Sequence, residues 1–228
     1  MKNRTLVIMA KAPRVGSVKT RLAGTFSLEE VTELYGCFLE DTVALARSLP
    51  SLEVSIMCPE PDVEAVVSSV KGAVRIVPQT GRGLAAGLTS VFAHFTNSGS
   101  QRVIAVNSDS PHLPAAMLER AFEMLEKCDV VVGPTHDGGY YLVGAKTPHP
   151  GLFASEGMGT GSALDVLLRR AEGLGLSIGL AELFFDIDVA EDLSQLAEAL
   201  RRAPELAPST AKWLNDRADG SRSRGKQC

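Results

Sequence analysis

Aromatic residues make up only 5% of the 228 positions, with one Trp and three Tyr, so the chain shows no evident stacking platform that would fix a nucleobase. Positive charge is not in excess either. The formal net charge is −4, which argues against a nucleic-acid or anionic-membrane binder, whose basic face would normally dominate. The four cysteines, Cys37, Cys58, Cys128 and Cys228, stand far apart with no Cys-x-x-Cys pair. That pattern fits neither a zinc site nor a small disulfide framework and points to a reduced, cytoplasmic setting. No two of the four histidines have zinc-ligand spacing: His94 falls in a helical pattern, His149 in a Pro-rich loop, and His112 and His136 beside aspartates. No apolar run is long enough to span a membrane. The short run Thr5 to Ala10 is also shorter than the apolar region of a secretory signal, and Lys11 and Arg14 follow it. A Walker A Gly-Lys-Ser/Thr is absent. Ser108 and Ser110 lack the Gly-x-Ser-x-Gly turn of a hydrolase nucleophile, which argues against covalent serine catalysis.

What remains is a chain that is 45% apolar, long enough for one sizeable core, without internal repeats or a linker through its middle. Residues 1–216 read as one domain. The segment 217–228 has almost no apolar surface to bury and reads as a mobile tail.

The richest stretch is the opening one. The apolar run ending at Ala10 reads as a first strand that delivers Lys11, Arg14, Lys19 and Arg21 on a loop containing Gly16. Clustered cations on a loop whose glycine allows close backbone approach suit a polyphosphate. From there strand and helix signals alternate. Ser27 with Glu30 forms a capping-box pattern before a long helix ending near Pro50. The spacing then predicts strands at Val54 to Cys58 and Val74 to Val77, with a short helix from Val63 to Val70 between them. A helix follows Gly81-Arg82-Gly83, and Arg102 to Val106 reads as a strand buried on both faces. A helix from Ala115 to Lys127 precedes a strand from Asp129 to Gly133. The turn Asp137-Gly138-Gly139 is too short for a crossover helix, so Tyr140 to Gly144 reads as antiparallel. Helices near Ser162 to Glu172 and Ala190 to Arg202 flank the segment Leu183 to Asp188. This order implies a three-layer α/β/α sandwich around an open, mostly parallel sheet with one antiparallel strand. Its ligand site is expected beyond the carboxyl ends of the strands.

Four polar clusters follow apolar strands: the basic loop, Ser108-Asp109-Ser110-Pro111, His136-Asp137-Gly138-Gly139, and Asp186-Ile187-Asp188. Groups at the same end of neighbouring strands converge, so one pocket could hold cations for phosphate oxygens and aspartates for a hard divalent ion. Each cluster also has a purely structural alternative. Lys11, Lys19 and Arg21 could be solvated surface charges, and Asp109 could cap the helix after Pro114. Asp137-Gly138-Gly139 could be a plain hairpin turn. Asp188 fits an N-cap, with Glu191 in capping-box position.

The stretches Met9 to Leu22, Asn107 to Pro114, Gly133 to Gly144 and Phe185 to Leu193, taken in this order, resemble a bacterial group of glycosyltransferase-like proteins of the radical SAM-associated transferase type. That group belongs to the nucleotide-diphospho-sugar transferase superfamily. The resemblance implies a glycosyltransferase A-type fold and a nucleotide or nucleotide-sugar donor. On the matching positions it implies that Lys11, Pro13, Gly16, Lys19 and Arg21 hold the nucleotide and its phosphates. It implies that Asp109, completed by Asp186 or Asp188, binds Mg²⁺ or Mn²⁺. The Asp137-Gly138-Gly139 turn resembles the acceptor-side segment. Two departures stand out: the stretch Gln79 to Leu88 lacks the acid that relatives carry there, and the Asp-x-Asp pair is reduced to Ser108-Asp109-Ser110.

The expected activity is metal-assisted transfer from a nucleotide-activated donor to a small-molecule acceptor. Lys19 and Arg21 would stabilise the leaving phosphate, and Asp137 would orient the acceptor or act as general base. Glycosyl transfer from a nucleotide sugar is the first reading. Nucleotidyl transfer from an NTP to a phosphorylated small molecule is the second, and a non-catalytic nucleotide-binding module, suggested by the missing acid, is the third. Base, sugar, acceptor and oligomeric state are not legible.

Overall fold

The computed structural model describes residues 4–154 and 161–224, with side chains through residue 218. Seven strands, β1 (Arg4–Met9), β2 (Leu52–Pro59), β3 (Arg75–Gln79), β4 (Arg102–Asn107), β5 (Val130–Pro134), β6 (Tyr140–Ala145) and β7 (Ile178–Leu180), form one sheet in the order β3-β2-β1-β4-β6-β5-β7. Only β6 is reversed. It pairs antiparallel with both β4 and β5, while β1 with β2 and β4, β2 with β3, and β5 with β7 are parallel. This is the mostly parallel sandwich that the alternating signals predict.

The helices are α1 (Leu28–Ser48), α2 (Val63–Ser69), α3 (Gly83–Asn97), α4 (Ala115–Lys127), α5 (Ala163–Gly173), α6 (Ala190–Arg202) and α7 (Pro208–Arg224). They cover both faces of the sheet. One apolar cluster joins Leu6, Ile8, Ile56 and Ile104 to Leu39 of α1 and Phe122 of α4. The other joins Val7, Met57, Val103 and Val143 to Phe92 of α3 and Leu167 of α5. Alternate residues of β1 thus feed opposite cores, which explains why its run is apolar throughout rather than alternating. The capping box of Ser27 and Glu30 forms as the sequence predicts. No helix among the described residues is long and apolar enough to cross a membrane.

Two elements depart from the sequence reading. β7 is only three residues long and carries no strand signal of its own. The segment read as a tail from residue 217 continues α7 instead, and residues 225–228 lie outside the described residues. α7 forms because its start is bound: Asp41 of α1 accepts the backbone N–H of Ser209 at 2.9 Å and of Thr210 at 2.8 Å, and the Thr210 hydroxyl at 2.7 Å. Arg217, the first residue of the supposed tail, pairs with Glu33 at 2.7 Å and stacks on Trp213.

Candidate functional site

The carboxyl ends of β1 and β4 lie side by side, Met9 opposite Asn107, and both continue into loops that face one cleft. The loop after β1 is fastened by side chains from other elements. The Lys11 N–H donates to the Tyr35 hydroxyl at 3.0 Å, and that hydroxyl sits 2.9 Å from Ser108 Oγ. Burial, reinforced by the charge of Asp109, pushes the Tyr35 phenol up to about 12, so it remains a neutral hydrogen-bonding post. The Ala12 N–H donates to Asp62 Oδ2 at 3.1 Å, and Arg14 pairs with Asp62 Oδ1 at 2.8 Å. Arg14 is therefore turned outward onto the Asp62 segment and takes no part in the cleft wall. Gly16, at φ +77°, supplies the left-handed turn that brings the chain back. Neither Gly16 nor Pro13 lines the cleft; both shape the loop that carries its cations.

That return ends at Lys19, itself left-handed at φ 46°, immediately before a 3₁₀ turn at Thr20–Leu22. The conformation drives the side chain inward, where it is only 5% exposed, and places Nζ 3.0 Å from Asp109 Oδ1 and 2.8 Å from Asp188 Oδ1. Burial works against the Lys19 charge, but the two carboxylates outweigh it and hold the ammonium above the ordinary lysine range. Three residues predicted from the sequence, drawn from the first loop, the end of β4 and the approach to α6, thus meet at one point. Arg21 stands further out, 3.8 Å from Asp188 Oδ2 and largely in solvent.

The structural alternatives for the two aspartates are not realised. α4 has Pro114 at its N-cap position, so Asp109 does not cap it. Asp188 does not cap α6. Asp192 folds back instead to accept the N–H groups of Asp188 and Val189, each at 2.9 Å. The Asp188 carboxylate is left to face Lys19. The acidic segments are also laced together. The Ile187 N–H donates to the Asp109 carbonyl at 3.0 Å, and Ser110 Oγ donates to the Phe185 carbonyl at 3.3 Å. His112, buried, packs its ring against the stacked pair Phe184 and Phe185, with centroids 4.7 and 4.5 Å away. Neither ring nitrogen of His112 finds a hydrogen-bond partner among the described residues, and burial lowers its pKa to about 4. The sequence offered His112 only as a neighbour of Asp109; its part in seating the second acidic segment was not legible there.

The cleft has two connected lobes. The first, about 500 Å³, lies among Lys11, Lys19, Arg21, Asp109, Gln79 and Leu84. The second, about 680 Å³, shares Lys11, Arg21, Asp109 and Asp188 with it and reaches Asp137, Asp186 and Tyr140. Asp137 is both a turn residue and a wall residue, so the hairpin reading and the site reading hold together. Partial burial acts to raise its carboxyl, but donation from Thr135 Oγ1 at 2.5 Å and the Gly139 N–H at 3.0 Å, with the charge of Arg21, leaves it below the usual range. Asp186 behaves in the opposite way. Burial, then the neighbouring charges of Asp188 and Asp137, push it up to about 6.

Carboxylate oxygens are the donors a hard divalent ion takes, and such an ion is often held by one or two protein carboxylates and substrate phosphates. Asp109 and Asp188 fit that description, because their Oδ1 atoms already converge on one cation, the Lys19 ammonium. Asp186 is not gathered into the same group. No set of three or more His, Cys, Asp or Glu among the described residues is arranged to hold a metal.

Residues 42–160, just over half of the chain, match the profile of a family described as an uncharacterized protein conserved in bacteria, DUF2064. The chain belongs to that family. No curated protein matches this DUF2064 chain by sequence. Among solved structures, a Desulfovibrio desulfuricans G20 protein provisionally assigned as a nucleotide-diphospho-sugar transferase superposes with a TM-score of 0.88 at 23% identity, over 98% of each chain. A 4-diphosphocytidyl-2C-methyl-D-erythritol synthase from Anaerococcus prevotii DSM 20548 gives 0.55 at 13% identity, over 88% of this chain and 96% of that one. Rv0371c of Mycobacterium tuberculosis H37Rv, crystallised with manganese, gives 0.50 at 18% identity, over 86% and 98%. At these identities the likeness establishes the fold: a DUF2064 protein has the nucleotide-diphospho-sugar transferase architecture.

Proposed function

We propose that this protein is an enzyme that transfers a sugar from a nucleotide-diphospho-sugar donor to a small-molecule acceptor. The observation that carries the reading is the meeting of Lys19 with Asp109 and Asp188 in a cleft also faced by Lys11 and Arg21. A cation seated between two carboxylates, beside further cations, suits a diphosphate and a divalent ion together. The provisional assignment of the Desulfovibrio protein and the motif resemblance to radical SAM-associated transferases support the same branch.

In this reading Lys11 and Arg21 grip the non-bridging phosphate oxygens from the side open to solvent, and Lys19 does so from the buried side. Asp109 and Asp188 would hold Mg²⁺ or Mn²⁺, which when bound offsets the charge that develops on the leaving diphosphate. The acceptor oxygen forms a bond to the anomeric carbon as the bond from that carbon to the phosphate oxygen breaks. The nucleoside diphosphate leaves, and the acceptor proton passes to a carboxylate. Asp186 suits that role better than Asp137, because its raised pKa makes it a stronger base at neutral pH, whereas Asp137 is committed to its turn. The unpaired thiols of Cys37, Cys58 and Cys128 support a reducing, cytoplasmic setting.

The test is a thermal-shift panel of NTPs and nucleotide sugars with and without Mn²⁺, followed by product analysis. A ligand at about 100 times its Kd adds roughly 2.7 kcal/mol, a shift of a few degrees. Release of nucleoside diphosphate from a sugar nucleotide is the expected result. Pyrophosphate release from an NTP would select nucleotidyl transfer instead, and binding without either product would make the chain a nucleotide-binding module.

A further inference from the structure

The two lobes differ in how they are charged. The first presents three cations, Lys11, Lys19 and Arg21, against two carboxylates, Asp109 and Asp188. The second keeps Lys11 and Arg21 but adds only carboxylates, Asp137 and Asp186. Both cations of the second lobe are therefore shared with the first, and one of them, Arg21, is already drawn toward Asp188. The wall passes from net positive at one end of the cleft to net negative at the other. The Asp137 carboxylate is fixed in place, and the backbone beside Asp186 is anchored. Asp137 is held by Thr135 and Gly139, and Asp186 precedes Ile187, whose N–H is bound to the Asp109 carbonyl. Beside these charges the second lobe also has apolar wall, from Leu84, Leu88 and Ala163.

From this gradient we propose that the second lobe takes an acceptor without phosphate or carboxylate groups: an uncharged alcohol with an apolar body, whose hydroxyl faces Asp137 and Asp186. The inference rests on the first lobe holding the nucleotide-activated donor. With the donor's diphosphate occupying the shared cations, a phosphomonoester acceptor would meet two carboxylates and no cation of its own. A phosphomonoester brings nearly two negative charges, and a desolvated like-charge contact of this kind lowers affinity by at least about tenfold. An alcohol brings a donor for either carboxylate and an apolar face for Leu84 and Leu88, and its proton leaves to a carboxylate in the transfer step described above.

The test compares hexyl β-D-glucoside with hexyl phosphate, which share one apolar body, by titration against the full chain. Each is titrated with and without an equimolar mixture of the four common nucleoside diphosphates and Mn²⁺. With the diphosphates present the glucoside is expected to bind at least about tenfold more tightly than the phosphate, and without them the gap narrows because hexyl phosphate can reach the vacant cations of the first lobe. In the Asp137→Asn, Asp186→Asn double variant the gap closes by about tenfold, because the isosteric amides keep the shape and remove the charge. Equal or tighter binding of hexyl phosphate with the diphosphates present, or no binding of the glucoside, overturns the proposal. The ratio in the unaltered chain decides the question by itself, and the variant assigns it to these two side chains. A glucoside preference that persists while the diphosphates fail to bind would support the second-lobe assignment and overturn the donor reading of the first.

Discussion

The two segments that bring charge to the cleft, residues 10–22 and residues 183–189, are fastened by different forces. The first is held by polar side chains reaching from elsewhere: Tyr35 and Asp62 each accept a loop N–H, and Asp62 also binds Arg14. The second is held by its own backbone, through the Phe184 N–H on the Pro134 carbonyl and the Ile187 N–H on the Asp109 carbonyl, and by the ring of His112. A segment of the first kind is vulnerable to a single polar substitution at a distant position. One of the second kind ignores such changes but fails when aromatic volume is lost.

The largest effect on this contrast is expected at His112. Truncation by His112→Ala opens a cavity beside Phe184 and Phe185 and should cost about 3 kcal/mol of stability in chemical denaturation, whereas His112→Phe, which keeps the ring and discards nitrogens that bond nothing among the described residues, should cost far less. The same residue makes stability depend on pH. Its folded pKa of about 4 lies below its ordinary value of 6.5, so the unfolded chain binds the extra proton first. The contribution is therefore full above pH 6.5 and is lost as pH falls toward 4, by on the order of 2–3 kcal/mol, and His112→Phe should flatten that slope. A phenylalanine variant as damaged as the alanine one would show that the nitrogens matter and that ring packing is not what seats the segment.

Next comes Lys19, where the two segments meet. Lys19→Ala removes the cation from between Asp109 and Asp188 and should weaken binding of the nucleotide donor by about 100-fold in calorimetry, while the exposed Arg21→Ala costs about tenfold or less. Equal losses would make both residues general electrostatic contributors and deny Lys19 its special place.

The smallest effects concern the fastening of the first loop. Asp62→Ala leaves the Ala12 N–H and the Arg14 guanidinium without their acceptor and should cost about 1–2 kcal/mol, but Arg14→Ala, half-exposed in its pair, should stay within about 0.5 kcal/mol. Reversal of that order would place the tether in the salt bridge rather than in the backbone hydrogen bond.

The same contrast explains what the sequence discloses. The basic loop follows a long apolar strand and carries its cations within eleven residues, so its ligand class reads directly from composition. Its anchors do not, because Tyr35 and Asp62 lie 24 and 50 residues from the N–H groups they accept. The helices from α1 to α6 and the strands β1 to β6 declare themselves through periodicity and turn residues. β7 does not, since a three-residue edge strand has no period to detect, and neither does α7, whose start is anchored by Asp41, far back in the chain. Asp188 shows how a local rule misleads. Its spacing to Glu191 mimics a capping box, yet Asp192 takes the backbone N–H groups and frees Asp188 for the cleft. The division between Asp137 and Asp186 likewise needed three dimensions, because burial and crowding, not residue type, separate the two carboxylates.

The reversal of β6 gives the architecture room to diversify. In a sheet of parallel strands only strand endings supply ligand-facing loops, but a strand running the other way adds its beginning to the same rim, through the five residues 135–139. Exchanging that connection could regraft acceptor preference without moving a single ladder register. One position within it resists exchange: Gly138, at φ +84°, lies so close to the Gly161 carbonyl that an added Cβ would sit 2.0 Å from its oxygen. Any such redesign would have to keep a glycine at that position and vary the residues on either side.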